Sequence, residues 1–232
     1  VTSQSKTETT AEYEAIAQLM NDRYTCRSFS SDPVPEEQIR RLLRLAQRTA
    51  SWSNVQPWDL ILTKDDGTER FRAALYEAAK TQEVNSDIPQ PEEYRGIYRD
   101  RRRESGYALY ASVLIEKSDS AARETQRLEN YRLFGAPHFL LVHSDVKIGP
   151  YGWVDCGGYI ATFLLAAQSL GIAAAPQAAI AMQSRFVHEY FNLPDDRVVI
   201  AGISFGYATD HPINAFRTTR ADIDDVVNWV DR

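Results

Sequence analysis

Residues 155–170, DCGGYIATFLLAAQSL, constrain the fold more than any other stretch of this 232-residue chain. They read as one helix with Gly157 and Gly158 near its start, and apolar side chains fall on both of its faces. A helix that is apolar all round has to sit at the centre of a domain or in a seam between subunits. A membrane span is excluded, because the apolar run is interrupted by Gln168, Ser169 and Gly171 before it is long enough to cross a bilayer.

The remaining periodicities describe what could surround that helix. Strands are expected at 58–63, at PHFLLVHS (137–144), at 173–176 and at RVVIAGISFGYA (197–208). Helices are expected from Ala11 or Glu12, with Tyr13, Ile16, Leu19 and Met20 on one face, and from Pro35, with Ile39, Leu42, Leu43 and Ala46 as the buried stripe. Two more are read at Phe71–Ala79, after the turn signal Asp65–Asp66–Gly67, and at about 221–230. Helices dominate and do not alternate regularly with the strands, so the expectation is an α+β fold with a mixed central sheet surrounded by helices. Residues 1–10 read as a disordered polar tail and 11–232 as one domain without internal repeat or linker.

Composition narrows the function. With 44% apolar and 25% charged residues and a net charge of −6, the chain has no basic excess for nucleic acid or an anionic membrane. Two cysteines, Cys26 and Cys156, and four scattered histidines give no metal-ligand spacing, so no metal is expected. The N-terminal VTSQSKTETTAEYE lacks the layout of a signal peptide, and a cytoplasmic location is expected. Neither GxGxxG after a strand nor GxxxxGK[ST] occurs. GISFG matches the GxSxG elbow in letters, but no helix can follow Ser204 directly, which argues against a serine hydrolase.

Two segments could carry chemistry. TASWSNVQPWDLIL (49–62) packs two tryptophans and several short polar groups ahead of a strand, with Pro57 biasing Gln56 toward an extended conformation. A rigid polar loop at a strand end is where binding groups concentrate. EEYRGIYRDRRRESGYALYASVLI (92–115) is strongly basic at its centre. It reads either as a solvated helix or as a lid, within 85–110, whose arginines meet an anionic substrate.

Taken in order, RYTCRSF (23–29), SWSNVQPW (51–58) and FRTTRADIDDVV (216–227) resemble the nitroreductase family of FMN-dependent NAD(P)H oxidoreductases. YRLFGAPH (131–138), GIAAAPQA (171–178) and GISFGYA agree, and the likeness covers nearly everything after residue 12. The resemblance implies an intertwined homodimer with FMN at the subunit interface. It implies that Arg23, Thr25, Arg217 and Arg220 hold the cofactor's phosphate, and that Tyr24 also belongs to the cofactor-binding set. Arg27 would face the flavin's pyrimidine edge and stabilise negative charge on the reduced ring. Ser51, Trp52, Ser53 and Asn54 would reach the partner's FMN, with Gln56, Pro57 and Trp58 anchoring the loop. Pro176, Gln177, Ala178 and Ala179 would lie beside flavin N5, where a backbone N–H makes the contact. Ala50 stands where the family usually has proline, and Trp52 where a small polar residue is common.

The implied reaction is ping-pong hydride transfer from NAD(P)H through flavin N5 to a nitroaromatic, quinone or similar acceptor, with no essential side-chain acid or base. Reductive dehalogenation of a halophenol or halotyrosine is the alternative within the family. A flavin-binding protein without turnover is the alternative outside enzymes.

Overall fold

In the computed structural model, which describes residues 9–231, a four-stranded sheet lies between two layers of helices. The elements run α1 (Ala11–Asp22), α2 (Glu36–Ala46), β1 (Asp59–Thr63), α3 (Asp66–Thr81), α4 (Gly96–Ala111), α5 (Ser120–Leu128), β2 (His138–Asp145), α6 (Pro150–Ser169), β3 (Ala173–Gln177), α7 (Ser184–Phe191) and β4 (Arg197–Gly206). The strand order is β1-β2-β4-β3 and every neighbouring pair is antiparallel. The sheet is therefore antiparallel rather than mixed as expected; the parallel contact of Thr25 with Ala174 on β3 is an isolated bridge outside the strands.

Alternation along β2 divides the core. Leu140 and Val142 face α2 and α6, where Leu42, Ala46, Tyr159 and Phe163 are fully buried. Phe139 and Leu141 face the opposite layer, with Phe71 and Leu75 of α3 and Val187 of α7. This is the period-2 rule applied to a sheet covered on both faces. Gly202 of β4 has no room for a side chain, since a Cβ there would collide with the Phe139 ring and Ile180.

The central helix is α6, as its two apolar faces require. It buries Cys156, Tyr159, Phe163, Leu164, Ala166 and Ala167, yet leaves Tyr151 and Val154 exposed. It begins at Pro150, five residues earlier than expected, because Gly149 in a left-handed conformation turns the chain and proline suits the first helical turn. The stripe of α2 is buried as predicted at Ile39, Leu42 and Ala46, and Leu43 packs against it.

Other expectations need correction. α3 starts at Asp66, since Asp65 alone makes the turn (φ 52°) and Gly67 already belongs to the helix. α5 and α7 are short helices without a corresponding sequence expectation. The terminal helix at 221–230 is absent. Asp222 accepts from the Asp224 N–H and closes one 3-10 turn over Ile223–Asp225, after which the chain runs on without regular structure. The side chains of Ile223, Val226, Trp229 and Val230 are exposed, so no apolar face stabilises a helix there. Tyr13, Ile16 and Met20 of α1 also lie exposed. Of the expected disordered tail, residues 1–8 fall outside the described residues, while the Thr10 hydroxyl accepts from the Tyr13 N–H at 3.2 Å and caps α1. No helix among the described residues is long and apolar enough to cross a membrane.

Candidate active site

The two ends of the chain meet beside β3. The Arg23–Phe29 segment is held to the sheet by the Thr25–Ala174 bridge and by the Cys26 N–H donating to the Ala174 carbonyl at 3.1 Å. The C-terminal segment is fastened to it by Asn214, which is buried. Its Oδ1 accepts from the Arg27 N–H at 2.8 Å, and its Nδ2 donates to the Ser28 and Thr209 carbonyls at 2.8 and 3.0 Å. Between the segments lies a cleft of about 300 Å³ lined by Arg23, Tyr24, Thr25, Arg27, Arg217 and Arg220, together with Met20, Asn21, Phe216 and Thr218.

The charges in this cleft are uncompensated. Among the described residues, no carboxylate lies within 4 Å of Arg23, Arg27, Arg217 or Arg220, although the chain carries 32 acids. The guanidiniums are steered instead by neutral groups. Arg217 sits 4.0 Å over the Tyr24 ring and donates to the Asn214 carbonyl at 2.7 Å. Arg220 donates to the Thr218 hydroxyl at 2.7 Å, and Arg27 donates to the Thr25 carbonyl at 3.2 Å above the Phe216 ring. Burial pulls the pKa of Arg27 below its ordinary value, a cost that a bound anion would relieve. A cleft with four partnerless arginines and no acid or imidazole in its lining fits a phosphate and the electron-rich edge of a cofactor.

Cys26 lies under this segment with its Sγ donating to the Ser28 carbonyl, and burial pushes its pKa up to about 11. It is a packing thiol, not a nucleophile. Ser204 is equally closed: it lies in mid-strand, is fully buried, and donates to Gln177 Oε1 at 2.5 Å.

Gln177 of the expected N5 loop is thereby committed to structure. Its Nε2 donates to the Asn130 carbonyl at 2.7 Å and its side chain is buried, so it can offer only backbone outward. Ala178 is exposed and Ala179 half-buried, leaving open backbone at the end of β3, next to Pro176.

The Ser51–Asn54 loop does not join these groups within the subunit. It precedes β1, on the opposite edge of the sheet, and packs at the start of α6, where the Trp52 N–H donates to Asp155 Oδ2 at 3.1 Å. Asp59 of β1 is in register with His143, whereas Ala174 reaches through Phe205 to His138. The loop and the cleft are therefore at diagonal corners, separated by about 14 Å across the sheet and about 17 Å along it.

The loop is rigid for local reasons. Ser53, Asn54 and Gln56 all have positive φ (50°, 57° and 49°), so the expected extended conformation of Gln56 is not adopted. The Gln56 N–H donates to Ser51 Oγ at 2.9 Å and its side chain donates to Asn54 Oδ1 at 3.2 Å, which offsets the backbone strain. Gln47 extends the chain of bonds, donating to Gln56 Oε1 at 2.9 Å and accepting from the Trp58 indole at 3.1 Å. Pro57 and Trp58 are buried as expected of anchors, while Trp52 stays exposed against Tyr151, their rings 4.9 Å apart edge to face.

Sequence reasoning missed Asn214, Phe216, Met20 and Asn21. Asn214 and Phe216 adjoin the FRTTR arginines but belong to no periodic pattern, Met20 reads as part of a helix face, and Asn21 as the start of the loop after it.

The fold and the cleft together define an α+β architecture with an arginine-lined anion site, and comparison makes the assignment specific. The nitroreductase family model matches residues 20–207, and the chain belongs to that family. It is 31% identical over 218 residues to the nitroreductase NfnB of Mycolicibacterium smegmatis, covering 93% of each chain. It is 32% identical over 227 residues to a 4-nitrobenzoate reductase of Nocardioides, covering 94% of this chain and 90% of that one. The crystal structure of FMN-dependent NfnB from Mycobacterium smegmatis in complex with NADPH superposes with a TM-score of 0.90 at 30% identity, over 94% of this chain and 99% of that one.

Proposed function

We propose that this protein is an FMN-dependent NAD(P)H oxidoreductase that reduces nitroaromatic or related aromatic acceptors. The observation that carries the reading is the cleft in which Arg23, Arg27, Arg217 and Arg220 converge with no carboxylate beside them. The similarity to NfnB and to 4-nitrobenzoate reductase supports the same reaction class.

FMN, when bound, supplies the redox chemistry, taking reducing equivalents from NAD(P)H and passing them to the acceptor. Arg23, Arg217 and Arg220, with Thr25, hold its phosphate through charge-assisted hydrogen bonds. Arg27, fixed by Asn214 and Thr25, keeps a cation at the pyrimidine edge. The open backbone at Ala178 and Ala179 is free to donate an N–H toward N5. The lining of the cleft contains no carboxyl or imidazole group, and protons come from solvent.

The active form is a homodimer in which Ser51, Trp52, Ser53 and Asn54 complete the partner's site. The diagonal separation of loop and cleft supports this, as do the exposed apolar side chains of α1, of the α6 start and of residues 223–230. The dehalogenase alternative has no comparable support. The segment 85–110 is a candidate lid over the site.

The test is an anaerobic visible spectrum of the FMN-loaded protein before and after NADPH or NADH, followed by 4-nitrobenzoate. Bleaching of the flavin band and its recovery on adding the nitro compound is the expected result. A bound flavin that neither donor bleaches would leave a binding protein without turnover, and failure to bind FMN would overturn the reading.

A further inference from the structure

α4 presents two faces with different chemistry. Ile97, Arg101, Glu104 and Ala108 border the C-terminal segment, where the Thr219 hydroxyl donates to Glu104 Oε1 at 3.1 Å. The opposite face carries Arg102, Arg103, Gly106, Tyr107 and Tyr110, and with Arg123 of α5 these enclose a notch of about 340 Å³. Lys117 adds a fourth cation, its Nζ 4.2 Å from the Tyr107 ring centroid.

No acid balances this notch. Among the described residues, Arg102, Arg103 and Arg123 have no carboxylate within 4 Å, and the neighbouring Asp119 is occupied in capping the Ala122 N–H at 2.9 Å. Single arginines elsewhere among the described residues are also unpaired, such as Arg41 and Arg185, while others are paired, as Arg40 is with Glu36 and Arg127 with Glu124; what sets the notch apart is that three unpaired guanidiniums converge on one concave site. Two tyrosines lie among the guanidiniums. Forked cations next to flat rings are the chemistry that recognises a phosphorylated purine nucleoside.

The notch is also placed to serve the active site. Ala122, next to Arg123 on α5, lines a separate cavity of about 610 Å³ that Arg27 also lines. α5, about 10–12 Å across, therefore lies between the notch and the cavity that Arg27 lines. We propose that the Arg102–Arg103–Arg123 notch binds the 2′-phosphate and adenosine end of NADPH and makes the enzyme selective for NADPH over NADH. The proposal rests on the reading that a reduced nicotinamide reduces this protein.

The test separates the two. 2′,5′-ADP and 5′-AMP are titrated calorimetrically into the FMN-loaded protein, and kcat/KM is measured with NADPH and NADH for the unmodified protein, for Arg123→Ala and for Arg102→Ala/Arg103→Ala. The expected result is a preference for 2′,5′-ADP, and an NADPH:NADH ratio that falls at least about tenfold in each variant, the loss of one or more charge-assisted contacts. Flavin absorbance confirms that each variant is folded and loaded. Equal binding of the two nucleotides, or a ratio that the variants leave unchanged, would overturn the proposal. So would a loss confined to 4-nitrobenzoate relative to nitrobenzene, which would assign the notch to the acceptor's carboxylate. Failure of both donors to bleach the flavin would instead sink the reductase reading.

Discussion

α2 and α4 are both rich in arginine, yet one is built into the core and the other buries nothing. In α2, Ile39, Leu42 and Ala46 recur at three- and four-residue spacing, so the arginines Arg40, Arg41 and Arg44 project to solvent around a continuous apolar stripe. In α4 the large apolar residues sit at the ends, Ile97 and Tyr98 at one and Tyr107, Leu109 and Tyr110 at the other, with more than two turns of polar residues between them. Without a stripe to bury, α4 is held by contacts at its rim, such as Glu104 with Thr219. Arginine content does not separate scaffold from a surface kept available for ligands. The spacing of apolar residues does.

The largest expected effect lies on the α2 side. Leu42→Ala empties a fully buried position against α6 and should cost about 2–5 kcal/mol in urea unfolding. A cost no greater than that of a surface change would break the contrast between the helices. Next comes the arginine cleft. Arg217→Ala removes a cation with no acidic partner, so stability should fall by only about 1–2 kcal/mol, for its contacts with Tyr24 and the Asn214 carbonyl, while FMN affinity drops about tenfold to a hundredfold, read by fluorescence titration.

A pH experiment addresses the same core. His138 and His143 are buried in β2, and burial pulls both pKa values below the usual 6.5. The unfolded chain therefore binds more protons than the native one in acid, so their contribution is present above pH 6.5 and is lost as pH falls through the lowered native values. Unfolding midpoints should decline below about pH 6.5, and His143→Asn should flatten that decline. The smallest effect is expected on α4, where Ile97→Ala should shift stability by no more than about 0.5 kcal/mol. Limited trypsin digestion should nonetheless cut first within 95–103, because this helix has almost no tertiary protection. Cleavage beginning in α2 would reverse the comparison.

Much of the scaffold was legible because it follows from local period. The buried stripe of α2, the four strands and the all-apolar α6 each repeat at a spacing that names their element. The absent terminal helix shows the limit of such reading. Residues 221–230 have helical spacing at Ile223, Val226, Val227 and Val230, but the subunit offers them no surface to cover, and spacing alone does not stabilise a helix that short. Gln56 shows another, since its left-handed backbone is imposed by Ser51 and Gln47, contacts no residue propensity encodes.

The site divides in the same way. Its motifs, the RYTCRSF and FRTTR arginines and the SWSNVQPW loop, could be named from residue types and their order in the chain. That Asn214 ties two segments some 190 residues apart in sequence around one cleft (Arg27 and Asn214 differ by 187 positions) could not. Nor could the diagonal placement of loop and cleft, or the meeting of Arg102 and Arg103 with Arg123. Local patterns report which side chains share a face. Which faces meet depends on strand order and helix packing, and those are settled by contacts between residues far apart in the chain.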